Sequence, residues 1–388
     1  MERTLRRMVA EHDYLADEES VAAYAYDASG LYGKPLLVLK PRHDEQLRRI
    51  LIHANQYRFS VVPRGAGTGI RGGTVLENSI VLDMRGYRKI ENLDRQLNMV
   101  DVGAGVTITE LNTALAPYGL RFPLVPENDQ ATIGGLAAQN HVTPESILYG
   151  DYHKLVTLVE CFDGLGRHLT LKDDAVSTII GWEGATGIMT KLRVKLSPAR
   201  HKRTADIVET DDVKRALGIA NNKRVTKGVT LLAYVNRHAA KLAGIGEKAA
   251  LVIVYANDAG AYKDEARVDE VVRKVRELPL RAWRDGFTFT EEAMLAPESA
   301  TEYAAWCEKN NAPWYCIPGM DIYTSFLSSE NAAKASRAQI VAFGAVPVGI
   351  HGYGRAKKGY APDGIKRRLV KLKEVRDYNL VLNPGVIA

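Results

Sequence analysis

The stretch Val61–Val75, VVPRGAGTGIRGGTV, places five glycines (Gly65, Gly67, Gly69, Gly72, Gly73) within nine residues. Val61 and Val62 lead into it, and Ile80-Val81-Leu82-Asp83 reads as a strand beyond it. Glycine tolerates φ > 0 and lets another group approach the backbone closely. Successive exposed N–H groups in such a turn make a concave anion seat, suited to a pyrophosphate. A glycine cluster alone can be a flexible surface loop. One held by strands at both ends points to a ligand. No Gly-Lys-Ser/Thr follows, so this is not a Walker-type phosphate loop. No helix pattern follows either, as a Rossmann turn would require.

The chain has 388 residues, room for two domains. It shows no apolar run able to cross a membrane. The opening MERTLRRMVAEHDYLADEES lacks the apolar centre of a signal peptide, so a cytoplasmic location is expected. Cys161, Cys307 and Cys316 are scattered, without metal spacing, and their odd number argues against a disulfide framework. Buried free thiols are expected. The formal net charge of +6 favours anionic ligands, but it is spread along the chain and does not indicate nucleic-acid binding.

In order, the segment before residue 35 reads as helical and then irregular. A strand at 35–39, a helix capped by Asp44 with Leu47, Ile50, Leu51 and Ala54 on one face, and a strand at 59–62 form a βαβ start. A strand at 99–106 precedes Thr107-Ile108-Thr109-Glu110, a capping box. Ala131-Thr132-Ile133-Gly134-Gly135 is a second glycine signal, between Pro126 and Asn140. It reads as a turn and helix start, or as a tight helix–strand contact. Strands at 154–162 and 168–171 flank Asp163-Gly164, a hairpin signal. Gly181–Gly187 leads into a strand at 188–196.

Beyond 200 the texture changes. Residues 200–228 are basic and polar with few patterns. Strands are expected at 229–235 and 250–256, a short helix at 237–242, and strand-like runs at 281–290 and 315–326. Helices are expected at 264–278, with Ala266, Val268, Val271, Val272 and Val275 inward, and at 330–343. Such alternation suits a small α+β second domain. Gly349-Ile350-His351-Gly352-Tyr353-Gly354 precedes a helix from Asp363 bearing Ile365, Leu369, Leu372 and Val375, whose Lys/Arg run reads as a solvated face. The chain closes on Leu382-Asn383-Pro384-Gly385.

PRGAGTG (63–69), ATIGG (131–135), Tyr149-Gly150, Asp163-Gly164, GWEGATGI (181–188), HGYG (351–354) and LNPG (382–385) stand in one order. In that order they resemble the FAD-linked oxidases of the vanillyl-alcohol oxidase and para-cresol methylhydroxylase superfamily. The branch with D-lactate dehydrogenase, D-2-hydroxyglutarate dehydrogenase and glycolate oxidase flavoprotein subunits is the most similar. The resemblance covers 35–198 and 345–388 well, and 200–340 only in layout. It implies an α+β chain: an FAD-binding domain of two subdomains at 1–199, a shortened, ferredoxin-like cap domain at 200–344, and a C-terminal segment at 345–388 that completes the flavin site.

The resemblance assigns FAD as cofactor. Arg64, Gly65, Ala66, Gly67, Thr68 and Gly69 would wrap its diphosphate, with Thr132, Gly134 and Gly135 at the flavin end. Glu183, Gly184, Gly187 and Ile188 would line the adenine or isoalloxazine face, and Pro126 and Asn383 complete the set. No histidine or cysteine lies in the first glycine loop to attach a flavin covalently. His351 would accept the hydroxyl proton of a small 2-hydroxy acid while hydride passes from the α-carbon to flavin N5; imidazole titrates in the needed range. A plain role for His351 is a hydrogen bond within a glycine-rich turn. Arg355 and Lys357 would hold the anionic substrate's carboxylate. The alternatives are an accessory FAD subunit in a redox complex with a partner subunit, or an oxidase of another alcohol such as a sugar or aldonolactone. The electron acceptor is left open.

The chain also departs from the pattern. Metal-dependent members have Glu before the catalytic His and a Gly-Asp-Gly-Asn-Leu-His run; here Ile350 and Pro318-Gly319-Met320-Asp321-Ile322-Tyr323 stand there. His12, His43, His53, His141, His153, His168, His201 and His238 show no ligand spacing, so no metal is expected. Asn140-His141-Val142-Thr143 replaces Asn-Ala-Gly-Gly, which makes His141 a second candidate beside the flavin, or a structural residue.

Overall fold

The computed structural model describes residues 2–199, 202–348 and 350–387, so Gly349 and His201 lie outside the described residues. The first sheet holds β1 (Tyr14–Leu15), β2 (Leu37–Leu39), β3 (Ser60–Arg64) and β4 (Ser79–Asp83), in the order β1-β2-β4-β3. β2 and β3 both run parallel to β4. A parallel pair needs a crossover, and the helix Asp44–Tyr57 provides it, burying Leu47, Ile50, Leu51 and Ala54. His43, not Asp44, holds its N-cap position. Asp44 is the first helical residue, where its charge still suits the helix dipole.

β5 (Ile90–Asp94), β6 (Met99–Gly103), the two-residue β7 (Leu120–Arg121), β8 (Val156–Phe162), β9 (His168–Lys172) and β10 (Ile188–Lys195) follow. All but β7 form an antiparallel sheet, β5-β6-β10-β8-β9. β7 pairs apart, with β11 (Ser197–Pro198). The capping box forms as read: Thr107 accepts the Glu110 N–H, and Glu110 Oε2 accepts the Thr107 N–H at 3.0 Å. In the β8–β9 turn, Asp163 Oδ1 accepts the Leu165 and Arg167 N–H groups, both at 2.9 Å.

The third sheet is antiparallel: β12 (Thr204–Glu209), β13 (Val229–Val235), β14 (Ala250–Tyr255), β15 (Phe289–Met294), β16 (Trp314–Ile317) and β17 (Ile322–Leu327), in the order β12-β14-β13-β16-β17-β15. The architecture is α+β. The patternless 200–228 segment in fact holds β12 and the helix Val213–Arg224. The run at 281–290 opens as the end of the helix Leu278–Arg284, with Pro279 in that helix's first turn, a position that needs no N–H, and becomes strand only at Phe289. The helix expected at 264–278 runs Glu265–Arg276; Val268, Val271, Val272 and Val275 are buried, whereas Ala266 lies exposed in its first turn.

The C-terminal helix Asp363–Arg376 buries Leu369, but Val375 is exposed. Its basic run is not simply solvated. Arg376 donates to the Thr178 carbonyl at 3.0 Å, and Lys373 Nζ to the Leu382 carbonyl at 2.8 Å. The chain then returns beside β3. Val61 N–H donates to the Val381 carbonyl at 2.8 Å, and Asn383 N–H to the Val61 carbonyl at 2.9 Å. All three cysteines are buried free thiols. Among the described residues no helix is long and apolar enough to cross a membrane.

Candidate active site

A cleft of about 850 Å3, part of it open to solvent, is walled by the glycine loop after β3, the start of β10 and the helix Ile133–Gln139. Arg64, Gly65, Ala66, Gly67, Thr68, Gly69, Thr132, Gly134, Gly135, Glu183, Gly184, Gly187 and Ile188 all line it. Two residues of the expected set do not. Pro126 is buried outside the lining. Asn383 braces the wall from behind, its Nδ2 donating to the Gly73 carbonyl at 2.9 Å and the Glu183 carbonyl at 2.7 Å.

Two glycines of the loop, Gly67 and Gly72, have φ in the left-handed region. Gly67 has φ 72°, and a Cβ there would run into the Arg64 guanidinium. Gly134 is a glycine for another reason: its Cβ would stand 2.8 Å from the Ala104 carbonyl oxygen, a tight helix–strand contact. The walls are mostly backbone and apolar, with Asp27, Arg64 and Glu183 as buried charged groups. Glu183 accepts the Tyr353 N–H at 2.6 Å and the Gly354 N–H at 2.8 Å, tying the HGYG segment to the cleft. Burial pushes its carboxyl up to about 7, against those two donors.

His351 is 3% exposed. Its Nδ1 lies 2.6 Å from Glu292 Oε1 on β15, and its Nε2 lies 2.7 Å from Glu127 Oε1. Burial would lower its pKa, but the two carboxylates outweigh burial and push it up to about 9. The imidazole is therefore cationic at neutral pH. The same contacts hold Glu292 and Glu127 below the usual carboxylate range, against their burial. Glu292 Oε2 also accepts from Arg71 Nη2 at 2.8 Å. The His141 ring stands edge-on to that of His351, with centroids 5.3 Å apart.

Arg355 and Lys357 are both engaged elsewhere. Arg355 Nη1 donates to the Val75 carbonyl at 2.8 Å, closing the end of the glycine loop. Lys357 is 1% exposed and paired with Glu291; burial lowers its pKa to about 8. The group placed beside His351 by way of Glu292 is Arg71, from the glycine loop itself. Its Nε is buried without a hydrogen-bond partner.

Sequence reading missed Glu127, Glu292 and Arg71. Arg71 interrupts the glycine run, and Glu291-Glu292 stand within β15, but nothing in their local sequence marks them as buried. The histidines lack ligand spacing along the chain, but Glu127, His141 and His351 converge in space, with one donor atom from each within 4.8 Å of the others.

Residues 35–172 match the family described as FAD binding domain. The chain is 28% identical to the glycolate oxidase subunit GlcD of Escherichia coli (strain K12), over 81% of this chain and 66% of that protein. It is 32% identical to a D-lactate dehydrogenase of Archaeoglobus fulgidus, over 43% of this chain and 40% of that one. A D-lactate dehydrogenase of Anaerostipes hadrus is 21% identical over 98% of this chain and 95% of its own. The chain thus spans just under two thirds of the first relative and two fifths of the second. The solved structure of an alkyldihydroxyacetonephosphate synthase aligns with a TM-score of 0.74 at 15% identity, covering 98% of this chain and 84% of that one, a likeness of fold. A cleft walled by backbone, a left-handed Gly67 in its loop and the match over 35–172 agree: residues 35–172 carry an FAD binding domain, the cofactor is FAD, and the chain is related at modest identity to glycolate oxidase GlcD subunits and D-lactate dehydrogenases.

Proposed function

We propose that the protein is an FAD-dependent oxidoreductase that oxidises a small 2-hydroxy acid of the D-lactate or glycolate kind. The observation that carries this reading is the Glu127–His351–Glu292 line, buried at His351 and Glu292 and half-buried at Glu127, joined to the cleft through the Tyr353 and Gly354 bonds to Glu183. When bound, FAD supplies the acceptor for hydride from the substrate α-carbon. The chain must hold the substrate and take its hydroxyl proton. Nδ1 of His351 is committed to Glu292, so a hydroxyl can reach only the Nε2 side, where Glu127 stands. Because the two carboxylates favour the charged imidazole, His351 would take the hydroxyl proton only from its neutral form, with Nε2 freed from Glu127. Arg71 Nε has no hydrogen-bond partner among the described residues, but it is buried and outside the cleft lining, so it could meet a substrate carboxylate only if its surroundings opened. Arg355 and Lys357 could serve there only by leaving Val75 and Glu291.

In this reading residues 1–199 hold FAD, 200–344 cover the substrate, and 345–388 return His351 to the cleft. Ile350, where metal-dependent members of the resembled branch have Glu, favours a second reading: an accessory flavin subunit acting with a partner redox subunit, as the name of the GlcD relative suggests. Anaerobic mixing of the FAD-loaded protein with D-lactate, glycolate, D-2-hydroxyglutarate and simple sugars separates these. The proposal expects a 2-hydroxy acid to bleach the flavin. Bleaching by sugars alone would replace it with a sugar oxidase, and bleaching by none supports the accessory reading.

A further inference from the structure

One member of the His351 cluster is left unexplained by hydrogen bonding. His141 is 2% exposed, and among the described residues neither of its ring nitrogens has a hydrogen-bond partner. Burying an imidazole so removes its water contacts without replacing them. Its Nε2 stands 3.3 Å from Glu127 Oε2, outside hydrogen-bond geometry. The other oxygen of Glu127 faces His351 Nε2 at 2.7 Å. The three donors arrive from separate segments: the loop after β7, the turn that ends the helix Ile133–Gln139, and the segment before Gly352.

We propose that Glu127, His141 and His351 bind one divalent transition-metal cation of the zinc type, leaving a coordination position open to an oxygen ligand. Two imidazoles and one carboxylate make a donor set for such cations, with the fourth position free in catalytic sites. Tetrahedral donors at about 2.1 Å from a cation stand roughly 3.4 Å apart. The 3.3 Å between His141 and Glu127 is close to that spacing, and the shorter His351 contact has only to open slightly. The outer partner is already in place. Glu292 Oε1 lies 2.6 Å from His351 Nδ1, and Arg71 holds the other Glu292 oxygen at 2.8 Å. A carboxylate on the far nitrogen fixes the ring plane and tautomer of a metal-bound histidine. Binding replaces the proton shared between His351 Nε2 and Glu127, so one proton leaves for each cation taken up.

This donor set differs from the one the resemblance implies, whose positions hold Ile350 and Tyr323 here. The site does not depend on the oxidoreductase reading. With a cation on Nε2, His351 could not also take the substrate's hydroxyl proton, so the cation site and that role of His351 are alternatives.

The test uses the full chain carrying FAD, dialysed against a chelator and titrated with Zn2+ and Co2+ by calorimetry and cobalt absorption. The expected result is one ion per chain with release of a proton. His141→Ala and Glu127→Gln should each weaken binding by about tenfold or more while flavin absorbance stays, which shows that they fold. A wild-type protein that binds neither ion, or a folded His141→Ala that binds as tightly as wild type, overturns the proposal. If the variants lose flavin, the wild-type titration decides. Ion uptake without bleaching by any 2-hydroxy acid would uphold the site and refute the reaction.

Discussion

Glu183 joins parts of the chain that are far apart in sequence. It sits at φ 51°, in the left-handed region, and accepts both the Tyr353 and the Gly354 N–H. Glutamine there has one carbonyl oxygen for two donors. Glu183→Gln should therefore leave one buried N–H unpaired and cost about 1–3 kcal/mol, read from denaturant midpoints. The group also sets a pH dependence. Its folded pKa, raised by burial to about 7, lies above the ordinary 4.5. Its contribution to stability is complete below the ordinary value and is lost as pH rises through about 7. Glu183→Gln should flatten the stability profile across that window. Gly67→Val should fold but fail to retain FAD, because its side chain would meet the Arg64 guanidinium from a strained φ; flavin absorbance after gel filtration checks this. Gly67 was legible in the sequence because its constraint is local sterics. Glu127, Arg71 and Glu292 were not, because each acquires its meaning from a partner across the fold.

The strand β15 places consecutive carboxylates on opposite faces, as the two-residue strand period requires. Glu291 meets Arg337 at 2.5 Å and also pairs with Lys357, while Glu292 meets His351 and Arg71. The C-terminal return braces the glycine loop in a similar way. Asn383→Ala would strip the donor from the Gly73 and Glu183 carbonyls and should weaken FAD binding by about tenfold, measured by flavin fluorescence titration. The strands β13 and β14 were readable because both are apolar and fully central. β12 was not, since an edge strand buries little and alternates weakly. The helix Pro297–Lys309 was missed because its inward face carries Ala300 and Ala304, small residues that give little hydrophobic contrast, beside Tyr303 and Cys307.

Two buried ion pairs fasten the first part of the chain to the third sheet and its helices. Arg71 of the glycine loop reaches β15, with Nη1 on the Thr290 carbonyl and Nη2 on Glu292, both at 2.8 Å. Arg276 reaches Glu145 at 2.5 Å. Removing one partner of a buried pair leaves the other uncompensated. Arg71→Met should lower stability by about 3 kcal/mol, seen as a shifted urea midpoint. Motif order made the FAD domain legible, because glycine turns and capping boxes are local. The closing of the reaction site from three segments was not legible, because it depends on how the sheets meet. The rate of flavin reduction by a productive 2-hydroxy acid, followed anaerobically in wild type and His351→Ala, tests the reading at its centre. The expected result is a variant that keeps its FAD and is reduced about 100-fold more slowly or worse; a variant reduced at the wild-type rate would contradict it.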